Sequence, residues 1–381
     1  MLSGKAISFK NLYNEVIKTE RCNRCGGCVS FCSANNLGAL EFGEDGYPRF
    51  ADQSKCLEGG LCYLLCPQIG ILDEDIKDTY KWKYPQGNWE EIFSSRSTDA
   101  NILKAATDGG VVSSLLNYML DNHIIDGAIV SHNDHGVRTP TIAYTRDDVI
   151  NAAGSFFTEA FHLDKLGDIY ASKCQVISVI NEITTRERNV KKLALVGTPC
   201  QIHTIRKMQE LNIVPSDLII FTIGLFCMQC FTLEDLVKRD FAAKHNIKIE
   251  DIEKVNIKEK LILQMKSGIT INIPLTEIEQ IARPACLACS DFANDYSDIS
   301  AGGLGSDDGY TTIMVRSTIG REVYSGALNK GYIENAGGES LFQNNTDNKK
   351  IKKLIHEYAE KKHQRAQRHG TIKKELAYVV S

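Results

Sequence analysis

The sequence predicts a mixed α/β (α+β) protein. A small cysteine-rich module over residues 1–75 precedes a larger mixed-sheet domain over 92–340 and a basic helical tail over 345–381. Three observations carry this. Residues 22–66 hold seven of the thirteen cysteines. From about residue 92, short apolar runs alternate with helical periodicity, the pattern of strands between helices. From Asn348 onward there are ten Lys/Arg against three Asp/Glu, in a chain of net charge −4. A length of 381 residues favours two or three domains. Hydrophobic content of 43% with 24% charge is ordinary for a globular protein.

The first element is a short amphipathic helix within residues 1–20. Next come Cys22-x2-Cys25-x2-Cys28-x3-Cys32 and Cys56-x5-Cys62-x3-Cys66-Pro67. These spacings match the two-cluster bacterial ferredoxin run, in which the fourth cysteine of each run ligates the other cluster. The crossed rule gives one complete site, Cys22, Cys25, Cys28 and Cys66. Cys56, Cys62 and Cys32 form a second with three ligands, because Gly59 stands where a cysteine is expected. That site holds a three-iron cluster, a four-iron cluster with a non-cysteine ligand, or nothing. Zinc favours paired C-x2-C knuckles over triplets. With no apolar h-region at the start and no apolar run of about 18 residues, a cytoplasmic, non-spanning protein is expected, and its thiols are read as metal ligands rather than disulfides.

Between the runs, ALEFGEDGYPRF reads as strand–turn–strand. The polar stretch 73–91, with Pro85 and Gly87, reads as a linker. In the larger domain, strands are expected at 126–130, 193–196 and 218–223, and helices at 110–121, 174–188, 201–211 and 232–245. A hairpin follows over 261–275, turning at Lys266-Ser267-Gly268. In the tail, Ile351, Leu354, Ile355 and Tyr358 share one helical face. The tail is expected to dock an acidic partner or an anionic membrane surface, or to stand as a solvated helix. Overall acidity and the lack of an aromatic platform argue against nucleic acid.

Cys200 and Cys227 each lie just past a strand, where open α/β sheets collect ligands, and Cys286-x2-Cys289 forms a turn. The four either converge on one cluster or are buried core cysteines. Cys174 and Cys230 read as structural or spare. Asp108-Gly109-Gly110 precedes a helix that Asp108 is placed to cap, with the glycines exposing amides to a ligand. The loop 298–309 is glycine-rich but lacks G-x-G-x-x-G, so a Rossmann dinucleotide site is not supported.

Ser94-Ser-Arg-Ser-Thr-Asp99, Asp108-Gly-Gly110, Asp126-Gly-Ala-Ile-Val130, Gly197-Thr-Pro-Cys-Gln201, Phe226-Cys-Met228, Cys286-x2-Cys289-x-Asp291 and Asp298-Ile-Ser-x-Gly302 occur in this order. The set resembles the coenzyme F420 hydrogenase/dehydrogenase beta-subunit family over residues 92–340. The N-terminal module resembles that of F420H2 dehydrogenase input subunits and F420-dependent sulfite reductases. The resemblance implies an iron–sulfur flavoprotein carrying FAD and exchanging a hydride with coenzyme F420. Two to three 4Fe–4S clusters then pass single electrons to or from a partner subunit or ferredoxin.

It also implies that Cys200, Cys227, Cys286 and Cys289 hold a cluster. Around the flavin it places Arg96, Ser97, Thr98, Asp108, Gly109, Gly110, Gly302, Gly303, Gly305, Asp308 and Gly309. Arg96, Lys104, Arg206, Arg283 and Arg316 are candidate contacts to the F420 phosphate and carboxylates. One departure bears on substrate more than on fold: Gly154-Ser-Phe-Phe-Thr158 stands where members often carry Gly-(Thr/Ser)-Lys-Tyr-Thr. Competing readings are a ferredoxin-dependent reductase of the same family acting on another substrate, and a flavin-free electron-relay subunit.

Overall fold

The computed structural model describes residues 7–134, 137–155, 163–167, 169, 190–230, 241–279, 282–338 and 346–369. The helix expected at 174–188, the first part of that at 232–245, Cys174, Phe156–Thr158 and the segment 370–381 lie outside the described residues.

The cysteine-rich module opens on a helical turn, Phe9–Leu12, capped by Ser8. Strands β1 (Leu40–Phe42) and β2 (Pro48–Phe50) pair antiparallel with Leu40 opposite Phe50, as the strand–turn–strand reading requires. The Gly27–Ala34 helix carries Cys28 and Cys32 on its buried side. Gly27 is needed for close approach, since a Cβ there would stand 2.3 Å from Thr204 Cγ2 of the larger domain.

The stretch after the module is more than a linker. Asp73–Thr79 is a helix, and Ile76 is fully buried in the core beneath the main sheet. Three acidic residues in its first turn favour the helix dipole. Trp82 Nε1 donates to Asp295 Oδ2 at 2.7 Å, fastening this stretch to the larger domain.

The larger domain is built on one mixed sheet. Its strands are β3 (Glu91–Ser97), β4 (Gly127–Asp134), β5 (Val137–Ala143), β6 (Leu193–Gly197), β7 (Ile219–Leu225), β11 (Ile299–Gly302), β12 (Thr311–Val315) and β13 (Ile333–Asn335). The order is β13-β3-β12-β11-β7-β6-β4-β5. The run β11-β7-β6-β4 is parallel and the remaining pairings are antiparallel. The parallel centre explains the unbroken apolar runs: every residue of Leu193–Gly197 is buried, as strands covered on both faces must be. The Val111–Asp121 and Thr318–Asn329 helices cover one face, and Pro199–Glu210 covers the other. A separate sheet of β8 (Ile252–Ile257), β9 (Lys260–Met265) and β10 (Thr270–Pro274) contains the expected hairpin plus one strand the sequence reading missed.

The basic tail is a 24-residue helix, Thr346–His369. Ile351, Ile355 and Tyr358 are buried against Ile92, Phe292 and Met314. Its docking reading is corrected for Lys362 and Arg365, which are 1% and 5% exposed. They continue the 351/355/358 stripe by helical steps, so they point inward with it. Among the described residues, no helix is long and apolar enough to cross a membrane.

Candidate iron–sulfur and ligand site

The described cysteines are all free of disulfides. In the module, Cys28 feels Cys22, Cys25, Cys66 and Cys62, while Cys62 feels Cys56 and Cys32. The groups Cys22/Cys25/Cys28/Cys66 and Cys32/Cys56/Cys62 are thus each brought together, with Cys28 and Cys62 facing across the gap. Burial pushes Cys22 and Cys62 up to about 12. Such thiols ionise only when cations compensate them, and metal ligation deprotonates them outright. An all-thiol donor set on this spacing pattern suits an iron–sulfur core. Gly59 itself is exposed, and a Cβ there would meet nothing within 4 Å.

The second thiol group forms where the carboxyl ends of β6 and β7 meet the Pro284–Leu287 turn. Cys200 lies in the first turn of the Pro199–Glu210 helix, which is capped by a Thr198/Gln201 box. Cys200 feels Cys25, Cys230 and Cys289. Cys230, read from sequence as spare, belongs here: its backbone N–H donates to Cys286 Sγ at 3.3 Å. The Cys227 thiol leads the causes that push Cys230 up to about 11. The legible signal was Cys227-x2-Cys230, a second C-x2-C beside Cys286-x2-Cys289. Five thiols therefore surround a centre for which the sequence reading named four.

Cations flank this group from the C-terminal helix. Lys362 Nζ donates to the carbonyls of Cys227 and Asp291, the latter at 2.6 Å. Arg365 Nη2 donates to Met228 O at 2.6 Å and Cys286 O at 3.2 Å, and Nη1 donates to Gln229 Oε1 at 2.8 Å. Burial works against the Lys362 ammonium, but facing Cys289 and Cys227 outweigh it and hold its pKa above the usual lysine value.

The two thiol groups meet on one helix face. Cys200, Thr204 and Lys207 follow at i, i+4 and i+7 and look at the module. Thr204 Oγ1 lies 3.4 Å from Cys25 Sγ and donates to Cys200 O at 2.8 Å. Lys207 donates to Cys66 O at 3.2 Å and to Ile69 O, and pairs with Asp73 at 2.8 Å. Arg283 Nη1 donates to Asn23 O at 2.9 Å, a further tie between the parts.

A cavity of 430 Å³ opens beside the second thiol group. Cys25, Cys200, Cys227 and Cys230 line it, as do Asp108, Gly110 and Val111. Val130, Val196, Leu225 and Phe226 supply apolar wall, and Arg24, Lys258 and Arg283 supply positive charge. The size is that of small-molecule sites. The expected Asp108 cap is not made. Gly110 is the N-cap, at φ 72, with no side-chain cap bond. Asp108 instead accepts from Asn256 Nδ2 at 2.7 Å, and burial raises its carboxyl. The first-turn residues of the Val111–Asp121 helix line the cavity without a side-chain cap, the arrangement that helix N-termini offer to anions.

Of the predicted flavin residues, Asp108, Gly110, Gly302 and Gly303 line the cavity, and Arg96, Ser97, Thr98, Gly109, Gly305, Asp308 and Gly309 do not. Arg96 pairs with Glu334 on the sheet surface. Ser97 is buried and accepts from Ser114 Oγ at 2.7 Å. Thr98 donates to Gly331 O at 2.6 Å. Gly109 sits against Ser95 O and Thr311 N, and Gly305 against Ile351. Asp308 is exposed and pairs at 2.9 Å with Lys258, a cavity cation the sequence reading missed. Gly309, at φ 79, shapes a turn.

The candidate F420 cations are redistributed too. Arg206 is spent on Tyr296 O and Asp298, at 2.8 and 3.1 Å. Arg316 is spent on Gln86 O, Asn88 O and Ala293 O. Lys104 is exposed and away from the cavity lining, where only Arg283 of the five appears.

Comparison with known proteins agrees with the arrangement. Residues 92–166 match the N-terminal part, and residues 190–340 the C-terminal part, of the coenzyme F420 hydrogenase/dehydrogenase beta subunit. A coenzyme F420 hydrogenase subunit beta of Methanosarcina barkeri is 32% identical over 267 residues, covering 68% of this chain and 84% of that one. A coenzyme F420-dependent sulfite reductase of Methanocaldococcus jannaschii is 30% identical over 325 residues, covering 81% of this chain and 46% of its own length. Among solved structures, a chain of the F420-reducing [NiFe] hydrogenase complex of Methanosarcina barkeri superposes with a TM-score of 0.62 at 28% identity, over 75% of this chain and 93% of that one.

Proposed function

We propose, from the premise that this chain belongs to the coenzyme F420 hydrogenase/dehydrogenase beta-subunit family, that it is an F420-linked oxidoreductase subunit carrying FAD and 4Fe–4S clusters. The observation that carries the reading is the shared wall: one cavity lined both by a helix N-terminus without a side-chain cap and by cluster-type thiols. When bound there, FAD supplies hydride exchange with F420 and one-electron exchange with the clusters, a conversion neither neighbour performs alone.

The chain's own residues do the positioning. The Val111–Asp121 amides and Lys258 receive cofactor phosphate. Val130, Val196, Leu225 and Phe226 exclude water from a planar ring. Arg24 and Arg283 attract the acidic F420 tail. Cys200, Cys227, Cys230, Cys286 and Cys289 offer the ligands of the cluster beside the cavity. Cys22, Cys25, Cys28 and Cys66 would hold the next, and Cys32, Cys56 and Cys62 a third with three cysteine ligands. Clusters held there would supply one-electron exchange between the cavity and a redox partner subunit or ferredoxin.

The test is anaerobic purification with iron and flavin quantification, followed by stopped-flow mixing with F420H2 and, separately, with reduced ferredoxin. Flavin bleaching by F420H2 at catalytic rates is the expected result. Bleaching by ferredoxin alone moves the assignment to a ferredoxin-dependent reductase, and a flavin-free, iron-loaded protein makes the chain a relay.

A further inference from the structure

We propose that Lys362, assisted by Arg365, sets the reduction potential of the main-domain cluster from a helix that follows the family-model match. The inference rests on the functional reading above for the presence of that cluster. The family match ends at residue 340, whereas Lys362 and Arg365 lie on Thr346–His369.

Three observations carry it. Both side chains are buried, although Lys and Arg are among the residues least often found fully inside a protein. Their donors converge on the loops that bear the thiols: Lys362 on Cys227 O and Asp291 O, Arg365 on Met228 O, Gln229 Oε1 and Cys286 O. No carboxylate shares a short ion pair with Lys362 among the described residues, and Arg365 has only Glu279 at 3.9 Å, on a side chain 48% exposed. Once the thiols are ligated as thiolates, they and Asp291 are the negative charge these two cations face.

Such charges act in one direction. A cluster held by four thiolates is anionic and gains a further negative charge when it takes up one electron. Fixed positive charge in a region poorly screened by water stabilises the reduced form more than the oxidised form. Burial and hydrogen bonding around the sulfurs are established levers on such potentials. The helix reaches this place because Ile351, Ile355 and Tyr358 seat its first turns in the core, which carries the next turns over the thiol loops. Lys362 and Arg365 are positioning residues: they act through the cluster and its loops, and the reacting groups lie elsewhere.

The experiment is an EPR-monitored redox titration of the full-length protein, with the main-domain signal identified as the one lost in Cys289→Ser. In Lys362→Met, iron content is expected to match the parent. The reduced-to-oxidised ratio at a fixed poise is expected to fall about tenfold, a shift of ~59 mV to lower potential for a one-electron couple. Lys362→Arg is expected to restore the parent potential, which a purely structural role would not produce. An unmoved potential in Lys362→Met, or an equal fall in Lys362→Arg, overturns the proposal. Should Lys362→Met lose iron, Arg365→Met is read in its place with the same expected fall, and an unmoved potential there is equally decisive. Parent protein without iron would overturn the cluster reading instead, so the two failures are distinguishable.

Discussion

Gly109 shows how a residue can be necessary to a ligand site without touching the ligand. A Cβ there would stand 2.6 Å from Ser95 O and 2.8 Å from Thr311 N, both backbone atoms of sheet strands. Neither can move without disturbing β3 or β12, so Gly109→Ala is expected to destabilise the domain by about 1–3 kcal/mol, the usual cost of overpacking. A lower thermal midpoint measures it, and an unchanged one would mean the loop shifts freely. The three residues of the Asp108-Gly109-Gly110 motif thus separate by physical role. Gly109 permits packing, Gly110 supplies the left-handed turn at φ 72, and Asp108 lines the cavity. Sequence reading picked out the motif but assigned all three to the flavin. A tight backbone approach and a ligand contact both call for glycine, and only the positions of Ser95 and Thr311 tell them apart. Arg206 and Arg316 misled for a related reason. Their guanidinium groups satisfy buried carbonyls and a carboxylate far away in sequence, which no local pattern displays.

At the scale of elements, the Pro199–Glu210 helix joins the two parts of the molecule. Its start was legible from Gly197-Thr-Pro-Cys-Gln201, because proline in the first turn and a capping box are local signals. Its partner was not, since Cys66 and Asp73 lie well over a hundred residues upstream. Lys207 is fully buried in this joint, satisfied by Asp73, Cys66 O and Ile69 O. Asp73→Ala leaves that ammonium two carbonyls but no counter-charge. The expected cost is about 2 kcal/mol, below the full penalty for a buried pair because Asp73 is itself a third exposed. Hydrogen exchange should locate the loss in Asp73–Thr79 and Gly27–Ala34, the helices packed on this joint. Even destabilisation across the main sheet would show that the joint is not where Asp73 acts. The C-terminal helix was half legible in the same sense. Its apolar face at 351, 355 and 358 was read correctly. The same periodicity carried on to Lys362 and Arg365, but charge made those positions look solvated.

Across the whole molecule, the proposed relay runs in either direction between the cavity, the Cys200 group, the Cys25 group and the Cys32/Cys56/Cys62 group. Thr204 bridges the two middle groups. Its hydroxyl touches Cys25 Sγ and Cys200 O, while its methyl packs against Gly27. Thr204→Val keeps the shape of the side chain and the methyl contact and removes only the hydroxyl. Stability is therefore expected to change by no more than the roughly 1 kcal/mol of a hydrogen bond. If the cavity holds the proposed flavin, its reduction by F420H2 would draw on the cavity walls and is expected to keep its rate. Its reoxidation through the module would draw on the removed contact and is expected to slow several-fold, with iron and flavin content unchanged. Double-mixing stopped flow, which reduces the flavin first and then offers an electron acceptor, separates the two phases. A slowed first phase would place Thr204 in the ligand site, and two unchanged phases would mean that electrons pass between the thiol groups by a route other than this helix.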